Sequence, residues 1–225
     1  MPRDERAGYP AAVLWDLDGT LVDTEPLWMA AEHDIARRHG AQWTSEDAMA
    51  LVGNDLTESG RYIKERMSLP MSVREIVDEL VSVIAEEMSK PITWRPGAVA
   101  LLRDIRTAGI PIGLVTMSYR RIVEPLLPQL PEGTFDVVVT GDEVSTGKPH
   151  PEPYLAAARA LGVDPHDCVA IEDSPTGAAS AESAGCHVIV VPNHVPVDDG
   201  VRRTLVDTLA GMGVSQLTRI ERPRR

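Results

Sequence analysis

Apolar and polar positions along this chain follow two different periods. Five runs, residues 12–16, 111–116, 136–140, 168–172 and 187–191, are short, rich in Val and Ile, and apolar almost throughout. Parallel strands covered on both faces read this way. Helical spacing fills the gaps between the later runs. Residues 97–108 carry Val99, Leu102 and Ile105 on one face, and residues 153–161 carry Tyr154, Ala158 and Leu161. Ser174 is placed to cap a helix that has Pro175 at its first position and Gly185 just past its end. Strands alternating with helices predict an α/β fold with a doubly wound, Rossmann-like parallel sheet.

The stretch between the first two runs breaks that rhythm. From Pro26 to about Lys90 the pattern is helical throughout. Ser72 and Glu75 form a capping box, opening a helix with Val73, Ile76, Leu80, Ile84 and Met88 on one face. One crossover connection needs little more than a single helix. This insertion is therefore expected to be a small all-helical cap domain, residues 26–91, placed after the first strand. Residues 11–25 and 92–218 would form the catalytic core, with 1–10 and 219–225 as flexible termini. No internal repeat or low-complexity segment interrupts the chain.

Composition narrows the function. With 43% hydrophobic and 25% charged residues the chain reads as an ordinary globular protein. A formal charge of -12 argues against nucleic acid, and an aromatic content of 4% argues against a base-stacking platform. No apolar run approaches the roughly 20 residues that span a bilayer, and the charged start lacks a signal-peptide h-region. A cytoplasmic monomer without membrane or nucleic-acid partners is expected. Cys168 and Cys186 lie in or beside apolar runs and read as buried free thiols.

Candidate chemistry sits at the carboxyl ends of the predicted strands, where open α/β sheets bind ligands. The first run ends in Asp16-Leu17-Asp18-Gly19-Thr20. Two carboxylates there can share a hard cation, and one can serve as a nucleophile; Asp-Gly is equally a common turn. The second run ends in Thr116, Met117 and Ser118, a phosphate cradle or a simple helix cap. Lys148 is pinned between Gly147 and Pro149, or else is a solvated surface lysine. Glu172 and Asp173 end the fourth run and lead into a helix, where acids also act as caps. Taken together these segments bring carboxylates, a lysine and a hydroxyl to one rim. That constellation suits phosphoryl transfer, in which charge must be neutralised from several sides.

The strings DLDGTLVDTEP, GKPHPEPY and IEDSPTGAASAESAG, in this order, resemble the haloacid dehalogenase superfamily, in its β-phosphoglucomutase and sugar-phosphatase branch. The resemblance covers nearly the whole chain; only the second motif is loose, with Met117 where Asn or Ser is common. It implies Asp16 as nucleophile and metal ligand, and Asp18 as general acid and base whose backbone carbonyl also binds metal. Asp173 would complete a Mg²⁺ site, with Glu172 a direct or indirect ligand. Thr116, Met117 and Lys148 would hold the phosphoryl group, residues 19–24 would form a mobile flap, and Gly53 and Asn54 would lie on a cap loop that reads the leaving group, although Gly53-Asn54-Asp55 also suits an ordinary turn. The implied activity is a Mg²⁺-dependent phosphatase acting on a small phosphate ester, with a sugar phosphate as the expected substrate. A phosphomutase is the alternative, disfavoured because Trp28, Val52 and Leu56 stand where His, Lys and Arg are expected. Dehalogenase chemistry is disfavoured by the presence of Asp18 and Asp173, and a non-enzymatic phosphometabolite-binding role by the completeness of the motifs. His33 and His39 are expected to face solvent, and His150 to serve a turn.

Overall fold

The structure is a computed structural model and describes residues 8–218. Six parallel strands, β1 (Ala12–Trp15), β2 (Ile112–Val115), β3 (Val137–Val139), β4 (Cys168–Glu172), β5 (His187–Val190) and β6 (Arg203–Leu205), form one sheet in the order β3-β2-β1-β4-β5-β6. All five expected strands are present, trimmed by a residue or two at most. β6 was not expected. It is a three-residue edge strand with exposed Thr204 and Leu205, so it has no apolar run to announce it.

Side chains alternate across the pleat, as the period of two requires. Ala12 and Leu14 of β1 pack on one face beneath α7 (Glu152–Leu161) and α8 (Pro175–Ser183). Val13 and Trp15 pack on the other face with α5 (Ala98–Thr107) and α6 (Arg120–Val123). The sequence reading of α5 shifts slightly: the buried residues are Ala98, Leu101, Leu102 and Ile105, and Val99 is only half-buried. Ser174 caps α8 by accepting from the Gly177 N–H at 3.1 Å, and Gly185 turns the chain away with φ +98°. A last short helix, α9 (Val214–Thr218), closes the described chain.

Between β1 and α5 lie four helices and no strand: α1 (Glu25–Arg38), α2 (Ser45–Met49), α3 (Leu56–Met67) and α4 (Val73–Met88). The Ser72–Glu75 capping box is formed in both directions. A second one, Thr44 with Asp47, starts α2. Ile35, Ile63, Ile76, Leu80 and Ile84 from these helices join the same apolar cluster as Leu101, Ile122 and Val123. The contact is direct, because α4 packs against α6 and Gln129 Nε2 donates to the Met88 and Lys90 carbonyls at 2.7 and 3.0 Å. The two chain crossings are also stitched together: the Asp23 N–H donates to the Thr93 carbonyl, and the Arg95 N–H to the Leu21 carbonyl.

The expected flexible termini fall largely outside the described residues, at 1–7 and 219–225. Of residues 8–10, Tyr9 packs against the apolar cluster and Pro10 is buried. Cys168 and Cys186 are buried free thiols. His33 is exposed on α1, His39 sits exposed at its C-cap, and His150 Nδ1 accepts from the Glu152 N–H in its turn. Among the described residues no helix is long and apolar enough to cross a membrane.

Candidate active site

β1 is the centre of the sheet, with β2 and β4 as its neighbours. Residues that follow these three strands therefore meet at one rim, and all four expected segments converge there. Lys148, in the loop between β3 and α7, reaches over the rim. Its ammonium donates to Asp16 Oδ1 at 2.7 Å, Glu172 Oε1 at 2.6 Å and the Val115 carbonyl at 3.0 Å. Its three donors are thus all used. Lys148 is no surface lysine: its side chain is 3% exposed. Burial alone would lower its pKa, but Asp16 and Glu172 more than offset this, so the lysine stays protonated.

Glu172 is locked in place. Tyr154 donates to the same Oε1 at 2.6 Å, the Lys148 ammonium lies 5.2 Å from the Tyr154 ring centre, and Oε2 accepts from the Asp173 N–H and the Ser174 hydroxyl. Gly177 is required beside it, because a Cβ there would lie 2.1 Å from the carboxylate. Asp16 differs. Its Oδ2 is buried without any hydrogen-bond partner. Burial, reinforced by Glu172, pushes its pKa up to about 7, and burial together with Asp16 raises that of Asp173 well above the usual range.

Those features are what an absent cation would explain. Asp16, Glu172 and Asp173 can each place an oxygen within 4.8 Å of the others, and all three are buried. One lysine does not balance three carboxylates, and an orphaned buried carboxylate oxygen is costly. Hard oxygen donors fit a hard divalent ion. Gly19, at φ +81°, leaves room at this point: a Cβ there would fall 2.0 Å from Asp173 Oδ2. With both Glu172 oxygens engaged, Asp16 and Asp173 have the oxygens to spare.

Asp18 stands apart from that cluster. Its carboxylate accepts four hydrogen bonds: Thr24 Oγ1 at 2.7 Å and Trp28 Nε1 at 3.2 Å on Oδ1, and Ser118 Oγ at 2.7 Å and Thr116 Oγ1 at 3.1 Å on Oδ2. Thr116 also accepts from the Ser118 N–H at 3.0 Å. Met117 lies at the cleft floor, and its sulfur accepts from the Lys148 N–H at 3.4 Å. Trp28 is therefore more than an apolar replacement, since it orients Asp18. Thr24 and Tyr154 are the other site residues that sequence reasoning passed over. Thr24 lay within the first motif and could have been found there. Tyr154 was read only as an apolar face residue.

A cleft opens above the rim, and its far wall is helical. Glu25, Trp28 and Glu32 of α1, Leu51 to Asn54, Leu56 and Ser59 of α3, and Leu80 of α4 line it. Gly53 (φ +77°) touches the core, since a Cβ there would meet Ser174 Oγ at 3.1 Å. The Asn54 amide donates to the Ala50 carbonyl at 3.0 Å. His194, from the loop after β5, lines the edge and lies 3.4 Å from Asp23.

Comparison with known proteins agrees with this geometry. The chain is 38% identical over 186 residues to hexitol phosphatase A of Escherichia coli, covering 82% of this chain and 83% of that one. It is 37% identical to the bifunctional riboflavin kinase/FMN phosphatase of Arabidopsis thaliana over 81% of its length, but spans only 48% of that longer protein. The crystal structure of CbbY from Rhodobacter sphaeroides in complex with phosphate superposes with a TM-score of 0.83 at 29% identity, covering 92% of this chain and 99% of that one. The haloacid dehalogenase-like hydrolase model matches residues 13–191, and this chain belongs to that family.

Proposed function

We propose that this chain is a Mg²⁺-dependent phosphomonoesterase acting on a small phosphorylated metabolite, a sugar phosphate by class, through a covalent phosphoryl-Asp16 intermediate. The observation that carries this reading is the state of Asp16. One of its oxygens is fixed by Lys148, and the other is buried and unpartnered at the floor of the cleft. The named phosphatase relatives support the substrate class.

Asp16 and Asp173 would hold the metal, with Glu172 supporting it indirectly through Lys148. The Asp18 backbone carbonyl is proposed as a further ligand. When bound, the cation neutralises charge between an anionic nucleophile and an anionic substrate. In the first step a carboxylate oxygen of Asp16 attacks phosphorus while the bond from phosphorus to the ester oxygen breaks. Asp18 gives its proton to the departing oxygen, releasing the alcohol. In the second step Asp18 takes a proton from water, the water oxygen attacks phosphorus, and Asp16 leaves as a free carboxylate with release of phosphate. Lys148, Thr116 and Ser118 are proposed to bind the equatorial oxygens, each exchanging a present partner for the phosphoryl group. The four hydrogen bonds on Asp18 fix the orientation of its carboxyl beside the cleft.

Residues 26–91 are proposed to act as a cap that shields the intermediate, with Gly53 and Asn54 on the loop nearest the rim. Hydrolysis is favoured over a mutase cycle by the helical wall, where among the described lining residues there is no Lys or Arg to hold a second phosphate. The test is a panel of phosphate esters with and without Mg²⁺, including β-glucose 1-phosphate with a bisphosphate primer. Chelator should abolish phosphate release and Mg²⁺ should restore it. Glucose 6-phosphate forming much faster than free phosphate would replace this reading with the mutase.

A further inference from the structure

The two walls of the cleft differ in charge, and the helical one carries only acids, Glu25 and Glu32. Glu32 is the unusual one. It is 4% exposed, on a helix whose role is otherwise apolar packing. Trp43 Nε1 donates to its Oε2 at 3.0 Å, and its Oε1 makes no hydrogen bond among the described residues. No cation pairs with it among those residues. Buried carboxyls are usually paired, and the free oxygen keeps access to the cleft, where it can accept from a ligand. Opposite it on α3 is the hydroxyl of Ser59, 5% exposed and lining the same cleft.

Its position is set by register. Glu25, Trp28 and Glu32 are spaced i, i+3, i+7 and present one face of α1 to the cleft. Trp28 is tied to Asp18. Glu32 follows it by four residues, about 6 Å further along the axis. Glu32 therefore faces the cleft one helical turn beyond the residue that holds Asp18.

Resting on the phosphatase reading, we infer that Glu32 is the leaving-group reader: its free oxygen binds a hydrogen-bond donor, hydroxyl or ammonium, on the alcohol half of the ester, and rejects esters with a second negative charge there. Burial pushes its pKa up to about 8, so near neutrality the carboxyl can also donate to a hydroxyl oxygen. Once Glu32 is ionised, a carboxylate or second phosphate on the leaving group meets a negative charge with no cation paired to it among the described residues, and a site built for a donor discriminates strongly against ligands that lack one.

The experiment uses matched esters of equal length: sorbitol 6-phosphate against 6-phosphogluconate, which differ at the far end by hydroxymethyl against carboxylate. Glucosamine 6-phosphate against glucose 6-phosphate separates ammonium from hydroxyl as the donor. Above about pH 8, where Glu32 is ionised, wild-type kcat/KM should favour the sorbitol ester by about a hundredfold. In that range Glu32→Gln removes the charge but keeps the acceptor for Trp43, and should shrink that ratio at least about tenfold by improving the acid substrate. An unchanged ratio in a folded variant overturns the inference and leaves Glu32 as a partner for Trp43 alone. Should Glu32→Gln fail to melt cooperatively, Trp43→Phe removes the hydrogen bond that holds the Glu32 pKa down and leaves the carboxyl in place. With Glu32 then less ionised it should also narrow the ratio, and an unchanged ratio there overturns the inference equally. p-Nitrophenyl phosphate, whose leaving group carries no donor, reports the chemistry separately. No Mg²⁺-dependent turnover of it by the wild type defeats the phosphatase reading and the inference with it, whereas turnover with no preference between the matched esters defeats the inference alone.

Discussion

The strand rim and the helical wall face each other across one cleft, but they are built on opposite principles. At the rim the buried charges are grouped, with a backbone reason for their positions. Lys148 bridges Asp16 and Glu172 within hydrogen-bond distance, and any side chain larger than glycine at positions 19 or 177 would collide with a carboxylate. On the helical wall most lining groups are apolar, and neither Glu25 nor Glu32 forms an ion pair among the described residues. The rim is organised to stabilise one kind of charge. The wall is proposed to admit some leaving groups and refuse others. Damage to the rim should therefore cost activity on every ester, while damage to the wall should change selection, orientation or stability.

The harshest test of that contrast is Asp16→Asn. It keeps the shape but removes the proposed nucleophile, so kcat should fall by more than about a thousandfold on all esters alike. Stability should move the other way. Burial and Glu172 already raise the Asp16 pKa, so in chelator the variant should melt no lower than the wild type. A variant keeping more than about a hundredth of the wild-type rate would remove Asp16 from the central role. A large drop in Tm in chelator would show that the three carboxylates do not strain the metal-free rim.

Gly19→Ala comes next. It forces a left-handed φ of +81° on alanine and drives a methyl into Asp173. Displacement of this kind at a reacting centre costs about a hundredfold, and raising Mg²⁺ should recover part of the loss. Trp28→Phe tests the place where the two regions touch. It removes a single 3.2 Å hydrogen bond to Asp18, worth about 1 kcal/mol or roughly tenfold or less in kcat. The loss should be similar for p-nitrophenyl phosphate and for sugar phosphates. A loss confined to sugar phosphates would make Trp28 a binding residue of the wall.

The same contrast explains what could be read from the chain before folding. The rim was legible because each of its groups follows directly on a strand. A five-residue apolar run and the acid after it lie within one local string, and parallel register does the rest. Lys148, held between Gly147 and Pro149, is the longest reach, and even it belongs to a compact string. The wall was not legible in this way. Its face is assembled from α1, α3, α4 and a turn, and the residues that matter are those left over after helix packing. Glu32 looks in sequence like any polar position on a helix. Its burial and its hydrogen bond from Trp43 arise from tertiary packing. β6 was missed for a related reason: an Arg-Thr-Leu edge acquires its pairing from β5, not from its own pattern. The part Trp28 plays was not legible because an indole N–H finds its partner only when the distance to Asp18 is known.

The smallest effect, and the one most specific to the wall, is the pH dependence of stability that Glu32 confers. Its carboxyl is held near 8 in the folded protein by burial, with Trp43 opposing and Glu25 adding to the rise, against an ordinary 4.5. The folded state therefore keeps a proton between those values that the unfolded chain gives up. Stability from this group is complete below about pH 4.5 and is lost progressively as the pH rises to about 8. Glu32→Gln has no proton to lose, and its amide oxygen can still accept from Trp43. The variant and the wild type should melt together at pH 4 and separate as the pH rises, the variant becoming the more stable by roughly 3 °C per pH unit at full effect. Asp16 and Asp173 titrate in both proteins, so the difference between the two melting curves isolates Glu32. Parallel curves from pH 5 to 8 would mean that Glu32 is ionised in the folded state. The wall would then present a fixed negative charge to the leaving group at neutral pH, and its preference for an ammonium over a hydroxyl donor should sharpen accordingly.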